Sequence, residues 1–290
     1  MMLYLALRLA ILLLGYLPFW FLYWLSNAMA FVCYHIGHRK DTITDNVRDA
    51  FPEKSADELK QLVKAVYRHF FDVMFVEGLK SFTASSRALL KRFDPCDLEL
   101  VNDYYKQHKS VIVVMAHYAN WEWGVTFPFL PKGIAFYKPL KNKYIDGYLR
   151  RNRARHHCEL ASVDNPALVF LKHRHELAVY ALIADKQNVK KRDEKRVIWL
   201  PFLCKEAPFL LGPERYAKAF DYPVLYAFIQ RGQGRGHYRH RFVLVSDEPK
   251  SEVLGGITKK WVGLLEQQVI EDPAAWLWFW ATTRSRQQRL

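Results

Sequence analysis

The chain has 290 residues, of which 51% are hydrophobic and 15% aromatic, so it has ample material for a buried core and is not typical of a disordered chain. Lys and Arg total 43 against 29 Asp and Glu, a formal net charge of +14, which favours an anionic partner: nucleic acid, an acidic membrane surface, or a phosphorylated substrate or carrier. The four cysteines lie far apart and form no C-x-x-C pair, which excludes a disulfide framework and a zinc ligand set.

An uncharged apolar stretch at residues 9–25 is long enough to predict a helix that spans a membrane. Its many aromatic residues and the lack of a small-residue cleavage site argue against a secretory signal peptide. The basic run at residues 38–40 places all that follows in the cytoplasm by the positive-inside rule. Pro18 also permits a helix that lies in the membrane interface, and a buried helix of the globular domain is a further alternative. We predict an anchor at residues 1–35 and one domain at residues 36–290.

The rest of the chain alternates between strand-like and helix-like segments. Ser55 and Glu58 form a capping box, and apolar residues at helical spacing follow as far as Met74. Strands are predicted at residues 110–116, 133–137, 177–184, 222–229 and 240–245. Helices are predicted at residues 144–157, 166–174, 213–220 and 257–270. This alternation predicts an α/β fold with a mixed, largely parallel central sheet flanked by helices, together with the N-terminal hydrophobic membrane-anchor helix.

The first predicted strand ends at His117, and Glu122 follows with four residues between them. In open α/β sheets, functional groups gather where strands end. A neutral imidazole accepts a proton from a hydroxyl near pH 7, and a carboxylate on its other nitrogen fixes the ring and the tautomer. We interpret His117 as a general base and Glu122 as the carboxylate that orients it; a buried structural histidine is the alternative. The chain has no G-x-S-x-G motif, so the attacking hydroxyl is expected from a substrate, without a covalent enzyme intermediate.

Three further features accompany predicted strand ends and helix starts. The segment after the second strand is rich in Lys and Arg, and Arg150 and Arg153 are candidates to hold phosphate groups, although a solvated basic face is the alternative. Asp185 follows the end of another predicted strand and is a candidate site residue. The alternative is an aspartate that caps a helix or forms a turn. Gly212, followed by proline, precedes Arg215 at a helix start that either receives an anion or is simply a start signal.

The run at residues 231–241 is rich in Arg and Gly, as RNA-binding segments are. It is short and lies between two predicted strands, so we interpret it as a hairpin turn, with phosphate or headgroup contact left open. The apolar N-terminus argues against nucleic acid as a partner. The histidines show no H-E-x-x-H spacing, so no metal site is predicted.

These features occur in the order found in the bacterial lipid A biosynthesis acyltransferases, the late lauroyl/myristoyl transferases, within the lysophospholipid acyltransferase superfamily. The segment His117-Tyr-Ala-Asn-Trp-Glu122 resembles that family's H-x4-D/E motif in its H-x-G-N-W-E form, with Ala119 in place of the usual Gly. The other similar segments are Tyr137-Lys-Pro-Leu-Lys-Asn142, Arg150 with Arg153, Asp185-Lys-Gln187 and Leu211-Gly-Pro-Glu-Arg215. The C-terminus departs, because Trp276 and Trp278 match a W-x-W-x-H-R-R-W-K ending whose His-Arg pair is missing here.

The resemblance implies a membrane-associated O-acyltransferase that moves a fatty acyl chain from an acyl carrier protein or CoA thioester to a hydroxyl of a lipid A-type glycolipid precursor. His117 and Glu122 are its expected catalytic residues. The expected substrate-binding residues are Asn120, Trp121, Tyr137, Lys138, Arg150, Arg153, Asp185, Gln187, Gly212 and Arg215.

No cofactor and no metal are implied by the resemblance. The expected partners are acyl carrier protein, a membrane lipid acceptor and an anionic membrane surface, with no nucleic acid. The expected location is the bacterial inner membrane, with a single N-terminal anchor and a cytoplasmic catalytic domain. The alternatives are another lipid acceptor (an aminolipid, a lysophospholipid or a polyene lipid) or a non-catalytic basic membrane-binding protein.

Overall fold

A computed structural model describes residues 2–95, 98–126, 132–154, 158–185 and 196–279. The apolar N-terminal region forms two helices, α1 (Met2–Leu14) and α2 (Phe19–Ile36), rather than one continuous helix. The break has a local cause: a residue before proline is pushed out of the helical region, and Pro18 takes an extended conformation with ψ 152° at the start of α2. Across the described ranges, no helix combines the length and the apolar character needed to cross a membrane, so the predicted spanning anchor is not found.

The next part of the chain is helical and packs against α2. It comprises α3 (Lys40–Ala50), α4 (Ala56–Phe71), a π-helical turn (Asp72–Glu77), α5 (Gly78–Thr83) and α6 (Ser86–Leu90). The predicted capping box begins α4: the Ser55 hydroxyl accepts from the Glu58 amide, and the Ser55 amide donates to the Glu58 carboxylate at 2.8 Å. The Tyr34 ring on α2 lies 5.6 Å from the Tyr67 ring on α4, which helps to join the two helices.

The centre of the molecule is a seven-stranded sheet with the order β1-β9-β8-β2-β5-β3-β4. Its strands are β1 (Phe93–Pro95), β2 (Val111–Met115), β3 (Gly133–Tyr137), β4 (Cys158–Ser162), β5 (Val179–Ile183), β8 (Val224–Arg231) and β9 (Tyr238–Ser246). Among the strands that the structure describes, only β8 and β9 pair antiparallel within this sheet, which confirms the predicted mixed, largely parallel sheet and the hairpin at residues 231–241. The remaining helices are α7 (Leu98–Lys106), α8 (Lys143–Ala154), α9 (Pro166–Lys172), α10 (Gly212–Phe220) and α11 (Gly256–Glu271).

The main difference from the sequence prediction is a separate hairpin formed by β6 (Val197–Phe202) and β7 (Lys205–Leu210). Its strands contain Pro201 and Pro208, which cannot donate to a ladder and which hide a strand pattern. By contrast, the continuous apolar run of β2 is buried throughout between β5 and β8, as is typical of a central parallel strand.

Candidate functional site

The candidate site lies at the carboxyl edge of β2 and β5. The parallel register places Met115 opposite Ile183, so His117 and Asp185 each lie two residues beyond a paired strand end. Because neighbouring strands are about 4.8 Å apart, side chains at these two positions can meet. The Nδ1 atom of His117 lies 2.7 Å from Oδ1 of Asp185. The Asp185 side chain is 3% exposed and that of His117 is 28% exposed, so a buried carboxylate holds a ring that reaches solvent.

Asp185 is bound by two further donors. Its Oδ2 atom accepts from the backbone N–H of His117 at 2.9 Å and from the indole N–H of Trp276 at 3.0 Å. Burial by itself would raise the pKa of Asp185, but the charge of His117 and the hydrogen bonds from His117 and Trp276 lower it below its ordinary value. The carboxylate therefore stays ionised beside the imidazole at neutral pH.

The carboxylate in contact with Nδ1 of His117 is Asp185, whereas the sequence analysis expected Glu122 there; the catalytic roles of both residues stay predictions. The Glu122 carboxylate instead accepts from the guanidinium of Arg153, whose Nη1 also donates to the Glu122 carbonyl oxygen at 3.3 Å. The structure thus brings two expected site residues together as an ion pair. The reason is topological: Asp185 extends a strand adjacent to that of His117, whereas Glu122 lies further along the same loop and faces α8.

The loop that carries His117 is held by the C-terminal segment of the chain. The Ala119 amide donates to the Ala275 carbonyl at 2.8 Å, and the Leu277 amide donates to the His117 carbonyl at 3.0 Å. Ala119 has φ 49°, which is a left-handed conformation. An L-residue in this conformation is strained by about 1–2 kcal/mol, whereas glycine adopts it without strain. This explains the glycine in the motif that the segment resembles. After His117 the described part of the loop contains one 3-10 turn, at Trp123–Thr126.

Tyr118 anchors the same loop to α11. Its hydroxyl lies 2.8 Å from the Gln268 carbonyl oxygen and 3.0 Å from that of Asp272, at the C-terminal end of the helix. The side chain is buried, so the bond is shielded from water. The backbone on which His117 rests is therefore joined to two other parts of the fold.

Asn120 and Trp121 also lie in this loop. Asn120 is fully buried, and its Oδ1 accepts from the Trp123 amide at 3.0 Å, which starts the 3-10 turn. The Trp121 ring packs edge-on at 5.3 Å from the His117 ring. Of these two expected residues, Trp121 contacts His117, whereas Asn120 binds the backbone three residues further along the loop.

The expected residues after β3 form a neighbouring cluster. The Tyr137 hydroxyl donates to Asp146 at 3.0 Å, and Arg150 lies against the same hydroxyl. Lys138 is exposed. Since β5 separates β3 from β2, Tyr137 lies roughly 10 Å across the sheet from the strand of His117. Gln187 lies outside the described residues.

The structure does not bring Gly212 and Arg215 to His117. Glu214, between them, accepts from the Thr258 amide at 2.9 Å and so binds the first turn of α11. The loop of His117 contacts the same helix at Gln268, ten residues later, or about 15 Å along its axis. Gly212 is the first residue of α10 and Pro213 lies in its first turn, in agreement with the start-signal interpretation.

Sequence reasoning did not identify Trp276 as a site residue, although its indole donates to Asp185. The signal was the tryptophan pair retained in a C-terminal segment that otherwise departs from the motif it resembles. No group of three His, Cys, Asp or Glu side chains suited to a metal ion occurs in the part of the chain that the structure describes.

The fold and the site together define a class: an α/β protein with an imidazole–carboxylate pair at the carboxyl edge of a largely parallel sheet. The particular family follows from comparison of the sequence with protein families. The family model described as "Bacterial lipid A biosynthesis acyltransferase" matches residues 2–284, nearly the whole chain. The chain therefore belongs to that family. A search of curated proteins found no significant match.

Proposed function

We propose that the protein is an O-acyltransferase that moves a fatty acyl chain from an acyl carrier protein or CoA thioester to a hydroxyl of a lipid A-type glycolipid precursor. Membership of the acyltransferase family supports the reaction class. The observation that carries the mechanism is the contact of His117 with the buried, triply bound Asp185.

The proposed reaction needs one general base. With Nδ1 bound to Asp185, the other ring nitrogen, Nε2, takes the proton of the acceptor hydroxyl while the oxygen attacks the thioester carbonyl carbon. The carbon–sulfur bond then breaks, and the departing thiolate receives that proton from His117. Asp185 stabilises the imidazolium between these steps and keeps the ring in the required tautomer.

Glu122 and Arg153 have a positioning role in this proposal. Their ion pair joins the loop after β2 to the end of α8, and the Arg153 side chain is only 9% exposed. An ion pair shielded from water holds its two elements more firmly than an exposed pair. The pair therefore limits the movement of the loop that carries His117.

Membrane association is supported by the surface of α1 and α2. Large apolar side chains are exposed along both helices and the turn between them: Leu3, Leu5, Leu9, Leu12, Leu13, Tyr16, Trp20, Trp24, Phe31 and Ile36. The one charged residue of α1, Arg8, instead lies over the rings of Tyr4 and Tyr148, at 5.9 and 5.8 Å. Exposed apolar residues with Trp and Tyr among them are typical of helices that lie in the membrane interface. We propose that these helices, within the expected anchor at residues 1–35, bring the domain at 36–290 to an anionic membrane surface.

The test is acyl transfer by the purified protein in detergent. The protein is incubated with an acyl carrier protein thioester and a lipid A precursor, and the masses of the products are measured by mass spectrometry. We expect one added acyl chain for the wild type and at least roughly a hundredfold lower rate for His117→Ala. His175→Ala, at an exposed histidine after α9, is the matched control and should keep the wild-type rate. Equal rates for His117→Ala and the wild type would remove His117 from the mechanism.

A further inference from the structure

A basic groove lies between α6 and the tip of the β8–β9 hairpin. Its volume is about 530 Å³, and it is partly open to solvent. Its charged walls come from Lys91, Arg92 and Asp94 on one side and from Arg231 and Arg239 on the other. We call this site the hairpin groove.

Positive charge exceeds negative charge in the hairpin groove. Arg239 forms an ion pair with Asp94 at 3.8 Å, and Arg231 forms one with Asp272, which lies outside the groove. Lys91 and Arg92 form no ion pair with any residue that the structure describes. The groove therefore offers two uncompensated cations at short range to a single anionic group.

The floor of the hairpin groove is held in place by buried hydrogen bonds. Tyr238 is buried, and its hydroxyl donates to Glu77 at 2.7 Å. The Tyr238 amide donates to the Arg92 carbonyl at 2.7 Å, which joins the two walls. Gly236, at φ 73°, allows the hairpin tip to approach Tyr23 on α2 so closely that a Cβ atom would lie 1.8 Å from its hydroxyl oxygen. The cations are thus held on a preformed surface.

The hairpin groove opens at the same edge of the sheet as His117. Strand β8 runs parallel to β2 with Tyr226 opposite Val114, so Arg231 extends beyond the carboxyl edge. Arg231 binds Asp272, whose carbonyl oxygen in turn lies 3.0 Å from the hydroxyl of Tyr118, the neighbour of His117. A ligand that contacts both the hairpin groove and His117 therefore extends along the carboxyl edge of the sheet.

The hairpin groove also adjoins the apolar surface of α2. The guanidinium of Arg92 lies 3.8 Å from the centre of the Phe19 ring, and that of Arg235 lies 4.6 Å from the Tyr23 ring. Trp20 and Trp24, on the same helix, are exposed. Tryptophan side chains favour the headgroup level of a bilayer, so with α2 in the membrane interface, as proposed above, cations that contact this helix would lie near the lipid phosphates.

We infer that the hairpin groove binds a phosphate monoester on the headgroup of the lipid acceptor, and this inference rests on the proposed function. Lysine and guanidinium groups bind phosphate by charge-assisted hydrogen bonds. A recessed space of about 530 Å³ accommodates a sugar phosphate, whereas a folded carrier protein would need about 800 Å² of open surface. The bound phosphate fixes which hydroxyl of the acceptor reaches His117, so the groove acts in specificity.

The test compares the double variant Lys91→Gln/Arg239→Gln with the wild type, using one glycolipid acceptor before and after treatment with a phosphatase. For the phosphorylated acceptor we expect KM to rise about tenfold with little change in kcat. For the dephosphorylated acceptor and for the acyl donor, KM should stay at the wild-type value. A higher KM for the acyl carrier protein alone would assign the groove to the donor and overturn the inference.

The matched control is Lys109→Gln/Arg48→Gln. Lys109 is exposed before β2, at the opposite edge of the sheet, and Arg48 forms an exposed ion pair with Asp45 at 3.0 Å, much as Arg239 does with Asp94. This control should leave every KM unchanged. If it raises KM as much as the groove variant does, general surface charge explains the effect and the inference fails.

A binding measurement separates failure of the inference from failure of the proposed function. Vesicles of phosphatidylcholine are doped with phosphatidic acid, a phosphate monoester, or with phosphatidylglycerol, a diester. The wild type should prefer phosphatidic acid, and the groove variant should lose that preference. The same loss without any acyl transfer by the wild type would support the groove and reject the acyltransferase proposal. Acyl transfer by the wild type without a preference for phosphatidic acid would support the acyltransferase proposal and reject the phosphate site in the groove.

Discussion

Two buried carboxyl groups in this protein have opposite properties. Asp185 lies next to His117 and its pKa is lowered, whereas burial raises the pKa of Glu77, in the π-helical turn, to about 8. Each accepts hydrogen bonds from side chains: Asp185 from His117 and Trp276, Glu77 from Tyr238 at 2.7 Å and Tyr23 at 3.2 Å.

The difference between them lies in the charge of the partners. Asp185 faces an imidazole that becomes positive and a backbone N–H, whereas Glu77 receives neutral phenol hydroxyls and lies near the negative Asp72. Burial disfavours the charged form of both groups, so the partner decides which form is stable. The comparison teaches that a buried carboxyl group stays ionised where its hydrogen-bond donors, together with a partner that can carry positive charge, outweigh desolvation.

The largest expected effect comes from Asp185→Asn. Asparagine keeps the shape but favours the wrong tautomer of His117 and removes the charge that stabilises its imidazolium, so we expect kcat to fall roughly 10³–10⁴-fold. Single-turnover transfer from the acyl thioester measures this loss. Glu122→Gln is the comparison: if it costs as much while Asp185→Asn costs little, the orienting role belongs to Glu122 after all.

A smaller effect is expected for Trp276→Phe, which removes one donor from Asp185 and keeps an aromatic ring. We expect kcat to fall about tenfold and the free energy of unfolding to fall about 1.5–3 kcal/mol at pH 7, as for a hydrogen bond to a charged group. The folded-state pKa of Asp185 is lowered, so its contribution to stability is present above the unfolded pKa and is lost as the pH falls through the folded one.

Denaturant unfolding of both proteins across pH therefore tests the role of Trp276. The stability difference between the wild type and Trp276→Phe should be full at pH 7 and should shrink below about pH 4. A difference that stays constant over the whole range would show that the tryptophan acts through packing alone.

Glu77→Gln tests the other carboxyl group through the pH dependence of stability. Its folded pKa, about 8, lies above its unfolded value, so the folded state binds more protons between these values and the wild type loses stability as pH rises toward 8. Glutamine cannot ionise, so the variant should not lose this stability. The Tm of the variant minus that of the wild type should therefore increase by on the order of 3–6 °C from pH 5 to pH 8. Parallel thermal unfolding curves at both pH values would show that Glu77 is charged in the folded protein.

The smallest expected effect is that of Ala119→Gly. Glycine adopts the left-handed conformation at φ 49° without strain, so the variant should gain up to about 1 kcal/mol in stability, less the entropy that glycine loses on folding. The rate should stay within about twofold, because neither carboxyl group changes. A large change in rate would mean that strain in the loop, and not the electrostatic pairing, sets the position of His117.

Local sequence patterns predicted most of the parts of the site. The buried run of β2, the histidine at its end and an aspartate at the end of β5 were all identified from apolar periodicity, because such patterns depend on neighbours along the chain. The hairpin after β8 was predicted because a short run lies between two predicted strands, which is also a local pattern. The β6–β7 hairpin was missed because its prolines hide the strand pattern.

What the sequence by itself determined is the class of fold, the family, and the candidate base at the end of a buried strand. Only the tertiary structure decided which carboxylate faces that base, since Asp185 is 68 residues away and meets His117 through the order of the strands. The tertiary structure also placed Trp276 on Asp185 and packed the two N-terminal helices on the rest of the fold. The physical reason is that strand ends and helix starts follow from local sterics, whereas side chains distant in sequence meet only when the sheet order and burial bring them together.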